Sequence, residues 1–316
     1  MIDDNKLVAL LGSGLASIDY PASPAGLYRP VEYTLESGGK RLRPLLCLAT
    51  CEACGAKAEN ALSQALAIEM FHNFTLIHDD VMDRSDTRRG RPTVYARWGE
   101  VQAILSGDAL LTMATQMACK CPADRMSAVM ELFNTTAMEV YEGQQYDMEF
   151  EGCDDVTVDE YLAMIRLKTS VLLGCACRMG ALMAGAGEDT ARAMYANGEN
   201  LGLAFQLRDD WLDTFGDPKI FGKPIGGDIR NRKKTWLFIT ALSEAPGQMA
   251  DALDGSADPV ARVTEIYRSL RLDERCGALV EKYRRAAVDA LAGADITDDA
   301  YRYFTGLAAN LSTRRK

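Results

Sequence analysis

Apolar residues at Leu62, Leu66, Met70, Phe74, Ile77 and Val81 recur at spacings of four, four, four, three and four, the period of one buried face of an α-helix. The stripe ends in three carboxylates, Asp79, Asp80 and Asp83, followed by Arg88-Arg89-Gly90. Asp79 and Asp83 therefore leave one face of the helix. Like charges at that spacing cost about 0.2–0.5 kcal/mol per pair in water. At about 5 Å and an effective dielectric of about 20 the cost rises to roughly 3 kcal/mol, so on a half-buried helix these acids call for cations. The helix should start near Glu59 and stop between Asp83 and Arg88, because Arg89-Gly90-Arg91-Pro92 is a breaker.

The rest of the chain has the same character. Period-two alternation of β-branched residues never lasts, and long Ala/Leu/Met/Glu segments between Gly or Pro breaks predict ten or more helices in one all-α domain over residues 1–316. Val94 to Cys121 and Ala123 to Glu151 read as two long helices. Thr157-Val158-Asp159-Glu160 has the form of a capping box and should start the helix that contains Arg166-Leu167-Lys168-Thr169-Ser170, with Gly185 and Gly187 ending it. On the next helix Gly198, Gly202, Gln206, Asp209 and Asp213 fall at spacings of four, four, three and four. Asp209-Asp210-Trp211-Leu212-Asp213 is thus a second Asp-Asp-x-x-Asp pattern, 130 residues after the first. One such triplet in an acidic chain is commonly a solvated face. Two, each set among apolar residues and followed by bases, are a specific signal.

Of the 316 residues 48% are apolar, enough for a sizeable core. A net charge of −10 argues against a nucleic-acid surface or an anionic membrane as partner. The segment Met1 to Lys6 lacks the basic-then-apolar form of a signal peptide, and Arg178 interrupts the apolar run Val171 to Gly187, so a cytoplasmic chain without a membrane span is expected. Cys47, Cys51, Cys54, Cys175 and Cys177 lie in Ala- and Leu-rich runs and read as reduced, small apolar fillers. Cys51 and Cys54 have zinc-knuckle spacing, but no second pair follows and the only histidines are His72 and His78.

Several bases stand where an anion would explain them. Lys40, Arg41 and Arg43 precede or open the apolar run Leu45 to Ala53, with Pro44 fitting its first turn. A helix N-terminus disfavours cations unless it holds an anion such as phosphate; the alternative is a solvated basic turn. His72 shares the face of Asp79 and is either a satisfied histidine or a binding one. Lys168, in an apolar segment, either snorkels outward or meets an anion. The loop from Gly216 to Asp228, with Gly222-Lys223-Pro224 and Gly226-Gly227-Asp228, is a surface connection or a flap over a phosphate, and Arg314-Arg315-Lys316 should fray unless an anion orders it.

Aspartate clusters without histidine or thiolate partners prefer Mg²⁺, which keeps several waters and completes its shell with substrate phosphates. The pattern implies a diphosphate held by Mg²⁺, a separate basic site for a second anion, and charge stabilisation of a departing diphosphate. An apolar helical bundle beneath the acids would take a hydrocarbon chain.

In their order, Gly38-Gly39-Lys40-Arg41-Leu42-Arg43-Pro44, His78-Asp79-Asp80-Val81-Met82-Asp83 with its Arg88-Arg89-Gly90, Lys168-Thr169, Phe205 to Asp213, Gly222-Lys223-Pro224 and Gly226-Gly227-Asp228 make the chain resemble the trans-type isoprenyl (polyprenyl) diphosphate synthases over roughly residues 30–240. The resemblance implies a single-domain, isoprenoid synthase-like helical bundle around a central cavity. It also implies a homodimeric, Mg²⁺-dependent prenyltransferase that condenses an allylic diphosphate with isopentenyl diphosphate head to tail. By the same resemblance Asp79, Asp83 and Asp209 are the Mg²⁺ ligands, with Asp80, Asp210 and Asp213 in or next to the coordination shell. Arg88, Lys168 and Lys223 match the allylic-diphosphate contacts, and Lys40, Arg43, His72 and Arg89 the isopentenyl-diphosphate site. Thr169 and Gln206 match residues along the allylic cation. Released diphosphate takes the last proton, so no side-chain base is needed.

Phe74 and Thr75, five and four residues before the first aspartate, match the floor of the tail pocket, with Phe71 a turn further back. A single aromatic there resembles short-chain enzymes, which predicts a geranylgeranyl product before a farnesyl one. Three rivals stand beside this reading. A class I terpene cyclase usually replaces the second acid motif, which is intact here. An HD-type phosphohydrolase needs more histidines than His72 and His78. A non-catalytic subunit of a prenyl synthase would keep the fold, but intact motifs oppose it.

Overall fold

A computed structural model describes residues 2–217 and 225–313; the Gly222-Lys223-Pro224 segment and the tail from Arg314 to Lys316 lie outside the described residues. More than ten helices are present among the described residues, and the only sheet there is a two-stranded one, so the chain is all-α as expected. It divides into two compact units. One comprises residues 1–134, 176–192 and 295–300, the other residues 135–175, 193–294 and 301–316.

In the first unit the central element is α4 (Leu62–Met82), which packs against α1 (Asp4–Ala16), α2 (Ala25–Leu35), α3 (Leu42–Ala53), α5 (Val94–Trp98) and α6 (Glu100–Ala118). A 3₁₀ turn, Ala58–Ala61, leads into α4 close to the expected start. The predicted stripe is there: Leu66, Met70, Phe74 and Ile77 are buried. However, every residue from Gln64 to Phe71 is buried, so α4 is enclosed on all sides along this stretch rather than half-buried. Its polar residues are satisfied within the unit. The Gln64 amide donates to the carbonyls of Ala118 and Lys120 at 3.2 and 3.0 Å, and Glu69 accepts from Asn73 Nδ2 at 2.6 Å and from Arg41.

Two expectations need correction. The stretch Val94 to Cys121 is not one helix, because Gly99, at φ 88, breaks it between α5 and α6. The breaker after α4 is a hairpin: Thr87–Arg88 pairs with Arg91–Pro92, and Arg89 and Gly90 turn the chain at φ 53 and 74. Two consecutive left-handed residues are what a two-residue hairpin turn requires.

The second unit is built on the later part of α7 (Met126–Glu151), α8 (Val158–Ile165), a π turn Arg166–Ser170, the start of α9 (Val171–Ala184) and most of α10 (Glu188–Phe215). Its core gathers Tyr161, Leu207, Leu237, Met249, Val263, Tyr267, Leu272 and Cys276. The capping box forms as predicted: Glu160 N donates to Thr157 Oγ1 at 3.2 Å and Thr157 N to Glu160 Oε2 at 2.8 Å. The π turn was not foreseen. One apolar stretch, Val158–Ala184, is long enough to cross a membrane at a mean hydropathy of 1.3, but 67% of its most apolar window is buried, as in a core helix.

Of the five cysteines read as fillers, Cys47, Cys51, Cys175 and Cys177 are buried, and Cys54 is only half-buried. Burial raises the Cys51 thiol to about 12.

Candidate functional site

In the first unit α4 delivers its acids at its C-terminal end, with Asp83 as the capping residue. The unpaired carbonyls there already carry partial negative charge, so carboxylates at this end deepen a cation-binding potential. Asp80 turns inward. It is buried and accepts from Arg88 Nε at 2.8 Å; burial pushes its pKa up and Arg88 opposes the rise. Asp79 is half-buried and Asp83 exposed.

Around the start of α3 the same unit assembles the basic residues. Arg41, the N-terminal capping residue of α3 at φ 50, reaches Glu69 and the carbonyl of Leu35. Arg43 Nη1 lies 3.3 Å from His72 Nε2, while its Nε is buried with no hydrogen-bond partner among the described residues. Arg89 donates to the carbonyl of Gly38 and lies against Gly39, where a Cβ would come within 2.8 Å of the guanidinium. Lys40 is exposed.

Four guanidinium groups, Arg41, Arg43, Arg88 and Arg89, thus meet the carboxylates Glu69 and Asp80, an excess of positive charge. The effect is visible in neighbouring acidities. Burial, opposed by Glu69 and helped by Arg89, lowers Arg43 to about 10. Burial and the four arginines hold His72 well below its ordinary range, so its ring is neutral. An unpartnered buried guanidinium nitrogen costs free energy unless an anion reaches it.

The chain-length candidates lie on α4. Phe71 and Phe74 are buried with ring centroids 5.7 Å apart, Phe71 meets Phe133 at 5.6 Å, and the Thr75 hydroxyl donates to the His72 carbonyl at 2.8 Å. His78 is a packing residue: its Nε2 is 3.2 Å from the Ile104 carbonyl, and a Cβ on Gly107 would collide with its ring at 2.3 Å.

In the second unit the acids again stand at a helix C-terminus, since α10 ends at Phe215. Asp210 is buried and accepts from Tyr161 Oη and, at 2.9 Å, from Gln206 Nε2. Gln206 Oε1 in turn accepts from Thr169 Oγ1 at 3.1 Å. Burial pushes the Asp210 carboxyl up to about 6 against the opposing Lys233 charge and these hydrogen bonds. Asp213 Oδ2 accepts from the backbone N–H of Asp228 at 2.9 Å, which fixes the short helix Gly227–Arg230 behind Gly226 at φ 77. Lys168 Nζ donates to Asp147 Oδ2 at 2.5 Å. Lys223 lies outside the described residues.

Five residues here carry charge or hydrogen bonds that reading the sequence did not assign: Glu69, Asp147, Tyr161, Asp228 and Lys233. Burial alone would lower the pKa of Lys233, but Asp147, Asp228, Asp210 and Asp209 outweigh this and raise it. Burial and the Asp210 charge lift Asp228 to about 7. The available signal was weak in each case: a lone charge inside an apolar run for Glu69, and a basic pair after the Gly-Gly-Asp turn for Lys233.

Among the described residues no three His, Cys, Asp or Glu side chains come together closely enough to hold a metal ion by themselves. The donors still suit Mg²⁺, which binds protein through one or two carboxylates and fills its octahedron with water and phosphate oxygens. The hard oxygen donors at the ends of α4 and α10 match that chemistry.

The comparisons agree with this chemistry. Residues 24–270 match the family model described as polyprenyl synthetase. A geranylgeranyl diphosphate synthase of Methanosarcina mazei is 39% identical over 258 residues, covering 81% of this chain and 78% of that protein. A (2E,6E)-farnesyl diphosphate synthase of Mycobacterium bovis is 43% identical over 243 residues, or 76% of this chain and 67% of that one. A crystal structure of a geranylgeranyl pyrophosphate synthase superposes with a TM-score of 0.92 at 40% identity, covering 100% of both chains. With its two acid motifs, its guanidinium cluster and its all-α fold, the chain belongs to the polyprenyl synthetase family.

Proposed function

We infer that this chain is a short-chain trans-prenyltransferase that joins an allylic diphosphate to isopentenyl diphosphate and yields geranylgeranyl or farnesyl diphosphate. Family membership and the activities for which its relatives are named support the reaction. Within the site, the carrying observation is the guanidinium cluster around Arg43, whose buried Nε has no hydrogen-bond partner among the described residues. A cluster with that surplus of donors is complementary to a diphosphate.

In this reading Lys40, Arg43, His72 and Arg89 bind the diphosphate of isopentenyl diphosphate, and Arg88, Lys168 and Lys223 that of the allylic substrate. Asp79, Asp83 and Asp209, with Asp80, Asp210 and Asp213 in or next to the shell, hold Mg²⁺. The bound ion supplies positive charge against the departing diphosphate. Thr169 and Gln206, oriented by their mutual hydrogen bond, turn oxygen dipoles toward the allylic carbon as positive charge develops on it. The released diphosphate accepts the final proton. The engagement of His78 by the Ile104 carbonyl and the neutral state of His72 fit a reaction without a histidine acid or base.

Residues 1–316 are read as one synthase domain working as a cytoplasmic homodimer. Phe74 and Thr75, with Phe71 behind them, limit the tail to a geranylgeranyl product, with farnesyl next. Incubating the purified chain with Mg²⁺, isopentenyl diphosphate and dimethylallyl, geranyl or farnesyl diphosphate, then sizing the products, tests the proposal. Elongation ending at the geranylgeranyl length is expected; no elongation from any primer would overturn it.

A further inference from the structure

Asp147 has no role in the reaction as described so far, yet its surroundings are built with unusual closeness. It stands on α7 one turn beyond Gly143, and residues at that spacing share a helix face. A Cβ on Gly143 would lie 2.2 Å from the backbone nitrogen of Lys168 and 2.7 Å from its Cα, so glycine alone admits the π turn at this distance. One turn further, Asp147 Oδ2 accepts from Lys168 Nζ at 2.5 Å. The two side chains are only 20% and 28% exposed, so their attraction is less screened than that of a surface pair.

On the other side of the same π turn, Gly202 of α10 would place a Cβ 2.5 Å from the Cα of Ser170. The turn is therefore clamped between two glycines, and it sends consecutive side chains to different partners, Lys168 to Asp147 and Thr169 to Gln206. Inserted π turns of this kind are frequent at functional sites. A lysine stem is long and rotamer-rich, so an ammonium meant to meet a ligand gains from a fixed partner. It carries three donors, and one can stay on Asp147 while the others reach phosphate oxygens. Burial pushes the Asp147 carboxyl up, but Lys233 and Lys168 outweigh it and keep it below its ordinary range, hence ionised.

We propose that Asp147, with Gly143, is a positioning residue that holds the Lys168 ammonium in place to receive the allylic diphosphate. The inference rests on the reading above that Lys168 contacts that diphosphate. A pair that merely fastened α7 to the π turn would affect both substrates alike, and this separates the two roles.

Steady-state kinetics with farnesyl diphosphate and isopentenyl diphosphate, on Asp147→Asn, Asp147→Glu, Lys168→Met and the double variant Asp147→Asn/Lys168→Met, provide the test. Asp147→Asn should raise the KM for farnesyl diphosphate about 10- to 100-fold, the range expected for losing a charge-assisted hydrogen bond. The KM for isopentenyl diphosphate should not move, Asp147→Glu should recover most of the loss, and the double variant should be no worse than Lys168→Met alone. The double variant removes the Asp147–Lys168 pair as a whole, so Lys168 is not left as an unpaired buried charge and the comparison with Lys168→Met stays valid even where Asp147→Asn unfolds. An unchanged farnesyl diphosphate KM in Asp147→Asn beside a raised one in Lys168→Met would overturn the inference alone. Equal increases for both substrates would also overturn it. An unchanged KM in Lys168→Met would instead remove the allylic role of Lys168, and the inference with it.

Discussion

The ends of α4 and α10 carry the same Asp-Asp-x-x-Asp pattern and put it to use differently. In both, the middle aspartate is 5% exposed. Asp80 meets the full positive charge of Arg88, whereas Asp210 is held by the Tyr161 hydroxyl and the Gln206 amide. Burial carries the Asp210 carboxyl up to about 6 although the Lys233 charge and these two hydrogen bonds oppose it, while at Asp80 the paired Arg88 opposes the rise that burial causes. The last aspartates differ as well: Asp83 is exposed, and Asp213 is occupied with the backbone of Asp228. Identical motifs thus leave different oxygens available. A repeated pattern specifies helix position and charge, and tertiary partners decide which carboxylates can take a cation.

The largest effect should follow from removing a predicted ligand. Asp79→Asn and Asp209→Asn should each lower kcat by at least about 100-fold, as losing one stabiliser of a developing anion does. Asp213→Asn, whose carboxylate is engaged by the short helix after it, should lose about tenfold or less. Equal losses at all three positions in steady-state assays would erase the difference between the motifs.

Next in size is Phe74→Ala on α4. Emptying this buried site should cost about 3–5 kcal/mol in urea unfolding and lengthen the product on chromatography. A destabilised variant with unchanged product would leave Phe74 in the core and move the floor of the tail pocket elsewhere.

The smallest effect concerns His72. Its folded-state pKa is depressed, so below about pH 6.5 the unfolded chain binds a proton that the folded chain does not. Stability from this group is present above that pH and is lost on acidification, by at most about 1.4 kcal/mol per pH unit. His72→Gln should flatten this part of the stability profile between pH 7 and 5. A wild-type slope retained in the variant would assign the acid sensitivity to other groups.

Much of this was legible in the chain itself. The spacing from Leu62 to Val81 predicts α4, Thr157 and Glu160 predict the start of α8, and the two acid triplets indicate the chemistry, because each signal is local and repeats with the helical period. What stayed hidden depends on partners far apart in sequence. Arg41 finds Glu69 at a separation of 28 residues, Lys168 finds Asp147 at 21, and Tyr161 finds Asp210 at 49. The π turn is invisible to a period count, and the glycines that leave room for it stand on neighbouring helices. The Arg89-Gly90 hairpin reads only as a break, because its arginine occupies a left-handed conformation that arginine rarely adopts.

The most direct test of the central claim, that the acid motifs bind a diphosphate through Mg²⁺, is calorimetric titration of farnesyl diphosphate into the protein with Mg²⁺ and again with EDTA. Binding should be strong with the metal and greatly weakened by EDTA, and Asp79→Asn and Asp209→Asn should lose the metal-dependent part. Equal affinity in EDTA, or variants that bind as tightly as the parent with Mg²⁺, would contradict it.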